Sequence, residues 1–382
     1  MSALSPFDIL FAQTVRQYSL LTVAMLLSGW LLLRAMRLKQ WQHWGYYSLA
    51  CAVGLYTHLF FSLVLLSHGT YVASQVVLTS STVQPLKQKI RLVVSYGVSS
   101  IGIIVLYIPW IVAILTGGER TYQSSDWLSS PISFLELFKF WTLSFSSLFF
   151  DLDLGFNHPG TYLLRLPFIA LILIALHQVS KNSAATSSKF ILTSVMVPFL
   201  ALALPDLLFG GRRSAITRYL ICSFPGIQLA VAYVVGTHLP KRRFWQGIWA
   251  MMLIASITSC VVSAYSFTWW SKGVSVANAK TAAILNRMES PLVISDYGDS
   301  YLNQGNLISL SHILDADVQL LLVNPDAIAQ GLAQVNFSEH PDVLLYAPSG
   351  PLRDQTEAAW GTPTLLDPPE ANVLKFEAPQ LN

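Results

Sequence analysis

The chain has 382 residues, 53% of them hydrophobic and 11% charged, with a formal net charge of +3. A soluble domain carries roughly 25% charged residues, so this composition excludes an ordinary globular surface over the whole length, and no nucleic-acid partner is expected. Ser271–Asn382 holds 5 Lys+Arg and 13 Asp+Glu against 18 basic and 7 acidic residues in Met1–Trp270, which predicts a basic apolar body (1–270) joined to an acidic soluble domain (271–382).

The chain opens on Met1–Tyr18, a half-apolar stretch without the basic start and cleavable apolar run of a signal peptide. It reads as a loop on the outer face of a membrane, and as the middle of an extracytoplasmic loop whose preceding helices lie ahead of Met1. A spanning helix needs about 20 mostly apolar residues, and ~17 suffice. About eight stretches qualify: Ser19–Met36, Gly45–Tyr56, Leu59–Val77, Leu92–Leu115, Tyr162–Leu176, Phe190–Phe209, Tyr219–His238 and Trp245–Phe267. The second is short and pairs with the third as a broken or tilted unit. Phe134–Phe150 is apolar but carries Glu136 and Lys139, which predicts an amphipathic helix lying at the interface. Cys51, Cys222 and Cys260 fall in apolar runs, so they give no disulfide framework.

Eleven of the body's basic residues fall in four short loops, around Arg34–Lys39, Lys87–Arg91, Lys181–Lys189 and Lys241–Arg243. The positive-inside rule makes that side cytoplasmic and puts Met1 and the acidic domain outside. The other basic residues are Arg16, Arg120, Lys139, Arg165, Arg212, Arg213 and Arg218, nearly all arginine. Arginine presents a planar fork that grips phosphate at two points. An arginine-rich outer face therefore points to a phosphate-bearing partner, against the plainer reading of headgroup contact.

Beyond Ser271, short apolar runs at Pro291–Ser295, Val318–Val323 and Val343–Tyr346 read as buried strands, with Val373–Glu377 as an edge strand. Ala277–Met288, Asn306–Leu314, Asp326–Gln334 and Leu352–Trp360 read as helical. The alternation predicts a small α/β domain with parallel pairing. It has no glycine-rich phosphate loop, so it is not read as nucleotide-binding.

Three constellations carry chemistry. Arg16 and Tyr18 stand just before the first span, where a guanidinium and a phenol can hold a phosphate or a sugar hydroxyl. His58, in Leu-Tyr-Thr-His-Leu-Phe-Phe, is a histidine among aromatics in an apolar run, a functional candidate by default or a structural histidine bonded to a carbonyl at a helix break. Gly210–Leu220 gathers Arg212, Arg213, Arg218 and Tyr219 with two glycines and two hydroxyls, a stretch suited to cradling phosphate or pyrophosphate. Asp151 and Asp153 are a weak pair for a divalent cation, the one cofactor in view. Asp296 and Asp299 follow a strand, where a turn is the simpler explanation.

The run Ser-Pro-Phe…Ala-Gln…Arg-x-Tyr-Ser, then Leu-Tyr-Thr-His-x-Phe-Phe, then Arg-Ser…Arg-Tyr-Leu resembles the family 39-type membrane glycosyltransferases of GT-C architecture, in particular a bacterial branch with an extracytoplasmic α/β tail. The resemblance covers essentially the whole chain but starts partway through the family pattern. It implies transfer of a sugar from a polyprenyl-phosphate carrier on the outer side of the membrane. It also implies that Arg16 and Tyr18 face the lipid phosphate and that Arg213, Arg218 and Tyr219 bind the carrier phosphate. The acidic residue that acts as base in the family would precede Met1, and the glutamate common two positions before the motif arginine is Thr14 here. No catalytic residue is assigned within the chain, and the expectation for this polypeptide is little or no transferase activity by itself. The alternative is a non-catalytic protein that binds or transports a lipid carrier with the same arginines. A solute transporter fits less well, because charges within the spans are few and no internal repeat is visible.

Overall fold

The computed structural model describes residues 2–14, 16–78, 85–123, 128, 130–152, 154–182, 185–238, 243–266, 269, 277–298, 302–366 and 373–376. The chain divides into two compact units, Met1–Ala264 and Tyr265–Asn382. The boundary expected at 270/271 lies outside the described residues.

The first unit is helical. Its first α-helix corrects the sequence reading, which made Met1–Tyr18 a loop: α1 spans Pro6–Gln13. Ser5 caps it by accepting the Asp8 N–H, Pro6 sits in the first turn, where a missing N–H costs nothing, and Asp8 supplies negative charge to the positive end. Phe7 and Phe11 are buried. Then follow α2 (Tyr18–Leu38), α3 (Trp41–Thr57), α4 (Phe61–Leu78), α5 (Leu86–Gln123) and α6 (Phe134–Ser146). After these come α7 (Pro159–Leu163), α8 (Leu166–Asn182), α9 (Ala185–Phe209), α10 (Phe224–His238) and α11 (Arg243–Tyr265).

Among the described residues, seven helices are long and apolar enough to cross a membrane: Tyr18–Leu38, Phe61–Leu78, Leu86–Thr116, Pro159–Lys181, Thr186–Phe209, Thr217–His238 and Arg243–Tyr265. The expected second span is α3, which has 17 residues and is not among them. It pairs with α4 across a tight turn at His58–Phe60, as expected for a broken pair. Gly54 makes the turn possible, since a Cβ there would lie 2.4 Å from the Phe61 ring. Gly54→Ala is therefore expected to cost about 1–3 kcal/mol by overpacking, read as a lower unfolding temperature in detergent. An unchanged midpoint would show that the turn can relax.

Of the stretch Phe134–Phe150, residues Phe134–Ser146 form the expected helix, with one exposed apolar side and one buried side. α6 carries a capping box between Ser133 and Glu136, exposes Phe134, Leu135 and Phe138, and buries Leu137, Thr142 and Ser144. Behind it, residues 147–152 are pinned from two sides. Ser256 and Ser259 of α11 bond the Phe149 carbonyl and the Asp151 N–H, and Arg165 donates to Ser146 Oγ, the Phe150 carbonyl and the Asp151 carboxylate at 2.6–3.0 Å. Arg165 is 3% exposed.

The second unit is a five-stranded mixed sheet with helices, in strand order β2-β1-β3-β5-β4. Its strands are β1 (Leu292–Ser295), β2 (Gln319–Leu322), β3 (Val343–Tyr346), β4 (Thr364–Leu365) and β5 (Val373–Phe376). β1 pairs parallel with β2 and β3, as expected, whereas β5 pairs antiparallel with β3 and β4. The helices are α12 (Asn278–Leu285), α13 (Leu302–Ser311), α14 (Ile328–Leu332) and α15 (Gly350–Trp360). Two expectations are corrected: β5 is an interior strand rather than an edge, and β2 is an exposed edge rather than a buried strand. The two faces of the sheet are sealed by Ile294, Val343, Leu345, Leu352 and Phe376 on one side, and by Leu285, Val293, Leu310, Leu344 and Val373 on the other. Asp296 accepts the N–H groups of Gly298 and Ser349, which is the turn reading; Asp299 lies outside the described residues.

Candidate functional site

The turn between α3 and α4 is the floor of the site. His58 closes α3 with its N–H on the Gly54 carbonyl, and its Nδ1 accepts the Phe60 N–H at 3.1 Å. The helix break is as expected, but the ring bonds an N–H rather than a carbonyl. With Nδ1 as acceptor, the neutral imidazole carries its proton on Nε2 and presents a donor there. Burial, together with the nearby Arg218 guanidinium, holds the His58 pKa below its usual value.

Tyr18, the first residue of α2, lies against this ring, with centroids 5.7 Å apart. On the other side the His58 ring meets Phe60 at 5.1 Å, and Phe60 meets Tyr219 edge-on at 4.4 Å. The Arg218 guanidinium lies 5.6 Å from the Tyr219 ring centre. Tyr18, His58, Arg218 and Tyr219, drawn from three separate parts of the sequence, thus form one group. Arg16 is exposed in the turn between α1 and α2, two residues ahead of Tyr18.

The segment that delivers Arg218 is not the continuous α-helix the sequence suggests. Residues Thr217–Ser223 form a 3-10 turn, and α-helix begins only at Phe224, with Pro225 in its first turn. Ahead of it, Gly210 and Gly211 adopt φ of 77° and 135°, and a Cβ on Gly211 would lie 2.7 Å from Asp206 Oδ1. That space lets Asp206 reach across. It accepts the Ser214 N–H at 2.6 Å and the Ser214 hydroxyl at 2.7 Å, and lies 3.3 Å from Arg213 Nη1. From α6, Trp141 Nε1 donates to Ser214 Oγ, and Ser144 bonds Thr217. The loop is thereby bolted at 213–217.

The arginines of the loop differ in consequence. Arg213 is paired with Asp206. Arg212 is half-buried, its N–H on the Leu128 carbonyl. The Arg218 guanidinium has no carboxylate or hydrogen-bond partner among the described residues. Elsewhere, Arg165 is a buried structural ion pair rather than a surface phosphate ligand, and the side chain of Arg120 lies outside the described residues. The metal reading of Asp151 gives way to the same pair; Asp153 lies outside the described residues. No group of three His, Cys, Asp or Glu suited to a metal ion occurs among the described residues.

Two carboxylates escaped the sequence reading. Asp206 sits inside an apolar span, where an acid is by default a meaningful residue. Asp8, on α1, accepts a bond from Gln228 at 2.6 Å, is raised above the usual carboxylate pKa by burial, and lines an open pocket of about 350 Å³ with Tyr18, Ser19 and Thr22. Comparison with protein-family models, curated proteins and solved structures finds no match.

Proposed function

We propose that the chain binds the phosphate of a polyprenyl-phosphate-linked sugar at the Tyr18–His58–Arg218–Tyr219 group and takes part in transfer of that sugar on the extracytoplasmic side of the membrane. The observation that carries this reading is Arg218: a guanidinium without a counter-charge among the described residues, beside the His58 donor and two tyrosines, at the start of α2 rather than at the end where Arg34, Arg37 and Lys39 gather. The resemblance to family 39-type glycosyltransferases supports it, since Arg16, His58 and Arg218 come from the three motifs that carry that resemblance. In the reaction an acceptor hydroxyl displaces polyprenyl phosphate at the anomeric carbon. Arg218 offsets the charge that develops on the departing phosphate, a term that often dominates catalysis. Arg16 and Arg212 stand ready as further cations, and Arg213 contributes less because Asp206 already balances it. No residue of this chain is assigned to take the acceptor's proton.

A carrier-binding protein without chemistry uses the same group, and one preparation separates the two. Mass spectrometry of lipids co-purifying with the full chain is expected to find a polyprenyl-phosphate sugar. Bulk phospholipid alone would count against the site. Sugar transfer from the bound donor to an added acceptor is expected to be little or none with this chain by itself; clear turnover would overturn that expectation and mark the chain as an enzyme rather than a carrier protein.

A further inference from the structure

α2 runs from Tyr18 in the site above to Leu38, about 30 Å away. At that far end lies a second basic feature built from different residues. Lys39 closes α2 in the left-handed conformation, φ 57°, with its N–H on the Ala35 carbonyl. The start of α3 and the start of α5 meet it there, and the three helix ends enclose a recess of about 220 Å³. Its floor is apolar and buried, made by Ala35, Trp44 and Leu92, and its rim is exposed and basic, made by Lys39, Lys87 and Arg91.

The rim has no anion of its own. From Ile9 to Gly118 the sequence contains no Asp or Glu. Lys39 Nζ donates to Gln88 Oε1 at 3.2 Å and Arg91 Nη2 donates to the Lys39 carbonyl, while Lys87 has no partner among the described residues. The first turn of α5 is also inverted with respect to charge. A helix N-terminus carries partial positive charge and favours Asp or Glu, yet α5 has no acid there and opens Leu-Lys-Gln-Lys. Three cations and a positive helix end around one hollow repel one another unless an anion sits among them.

We propose that this recess binds the phosphate of an anionic membrane lipid. Soluble phosphate offers the same oxygens, but the floor of Trp44 and Leu92 has no use for it, whereas a lipid lays its glycerol and first methylenes against that floor with its phosphate among Lys39, Lys87 and Arg91. The site is independent of the carrier-lipid group, since it shares no residue with it and lies at the other end of α2.

The test compares the full chain with Lys87→Gln and Lys87→Gln/Arg91→Gln in nanodiscs of phosphatidylglycerol or phosphatidylcholine, counting retained lipid by native mass spectrometry. The single variant breaks no bond among the described residues, so it reports even if loss of Arg91 loosens the end of α2. The wild type is expected to retain phosphatidylglycerol preferentially, with affinity lowered about fivefold by the single substitution and about thirtyfold by the double. Lys181→Gln, in the last turn of α8, is expected to change nothing. Equal retention by wild type and double variant overturns the site. Stabilisation of the detergent-solubilised protein by inorganic phosphate, without any preference for phosphatidylglycerol, overturns the lipid assignment.

Discussion

Asp206→Ala is expected to lower the stability of the first unit by about 3 kcal/mol and to loosen the loop from Gly210 to Ser223. The Asp206 side chain is fully buried and satisfies both the N–H and the hydroxyl of Ser214, itself 0% exposed. Removing the carboxylate leaves two buried donors without an acceptor, at about 1–3 kcal/mol each. The ion pair to Arg213 adds little, because that guanidinium is 37% exposed and water takes over its solvation. Asp206→Asn keeps an acceptor for Ser214 and is expected to lose less. Thermal unfolding and limited proteolysis of the loop give the measure. A stable, protease-resistant Asp206→Ala protein would mean that Trp141 and Ser144 of α6 hold the loop unaided.

The Arg165–Asp151 pair is expected to give the other large effect, with a characteristic pattern. Arg165→Leu takes the guanidinium away from a buried carboxylate and from the Phe150 carbonyl, which costs about 3–5 kcal/mol. Arg165→Leu with Asp151→Leu removes charge and counter-charge together and is expected to regain most of that loss, because two ions no longer have to be desolvated. Thermal denaturation of the three proteins decides. A double variant as unstable as the single one would assign the role of Arg165 to its bonds with Ser146 and Phe150 rather than to the pair.

The apolar spans were legible because a run of about 20 apolar residues declares itself without tertiary context. Their ends were less so. The sequence reading passes over α1 although Ser5, Pro6 and Asp8 form an N-terminal helix signature, because the stretch was weighed only as a loop between spans. The 3-10 turn before Phe224 was invisible for a different reason: apolar spacing from Tyr219 onward suits either geometry, and Pro225 was the one local sign of a later helix start. In the second unit, Val318–Val323 and Val373–Glu377 exchanged edge and interior roles, since an apolar run of four to six residues records strand propensity but not position in a sheet. β4, two residues long, left no pattern.

The candidate site was legible as residue types and not as pairings. His58, Arg218 and Tyr219 stand out as polar or aromatic residues at the ends of apolar runs, but only folding brings Tyr18 onto the His58 ring and Phe60 onto Tyr219. The division of labour among the arginines was hidden too. It depends on Asp206, which reaches Ser214 and Arg213 across two glycines in left-handed conformation, and on Asp151, which neutralises Arg165. Those partners separate the structural guanidinium from the one left available.

The most direct test is titration of purified protein with a polyprenyl-phosphate sugar, comparing wild type with Arg218→Ala, Arg218→Lys and Arg213→Ala. A charge-assisted hydrogen bond contributes about 1.5–3 kcal/mol, so Arg218→Ala is expected to weaken binding about tenfold to a hundredfold. Arg218→Lys, which keeps the charge but not the fork, should fall between that and wild type, and Arg213→Ala should lose less than Arg218→Ala. Wild-type affinity in Arg218→Ala would contradict the account and leave a helical protein with seven candidate membrane spans among its described residues, a small α/β domain and no assigned ligand at this group.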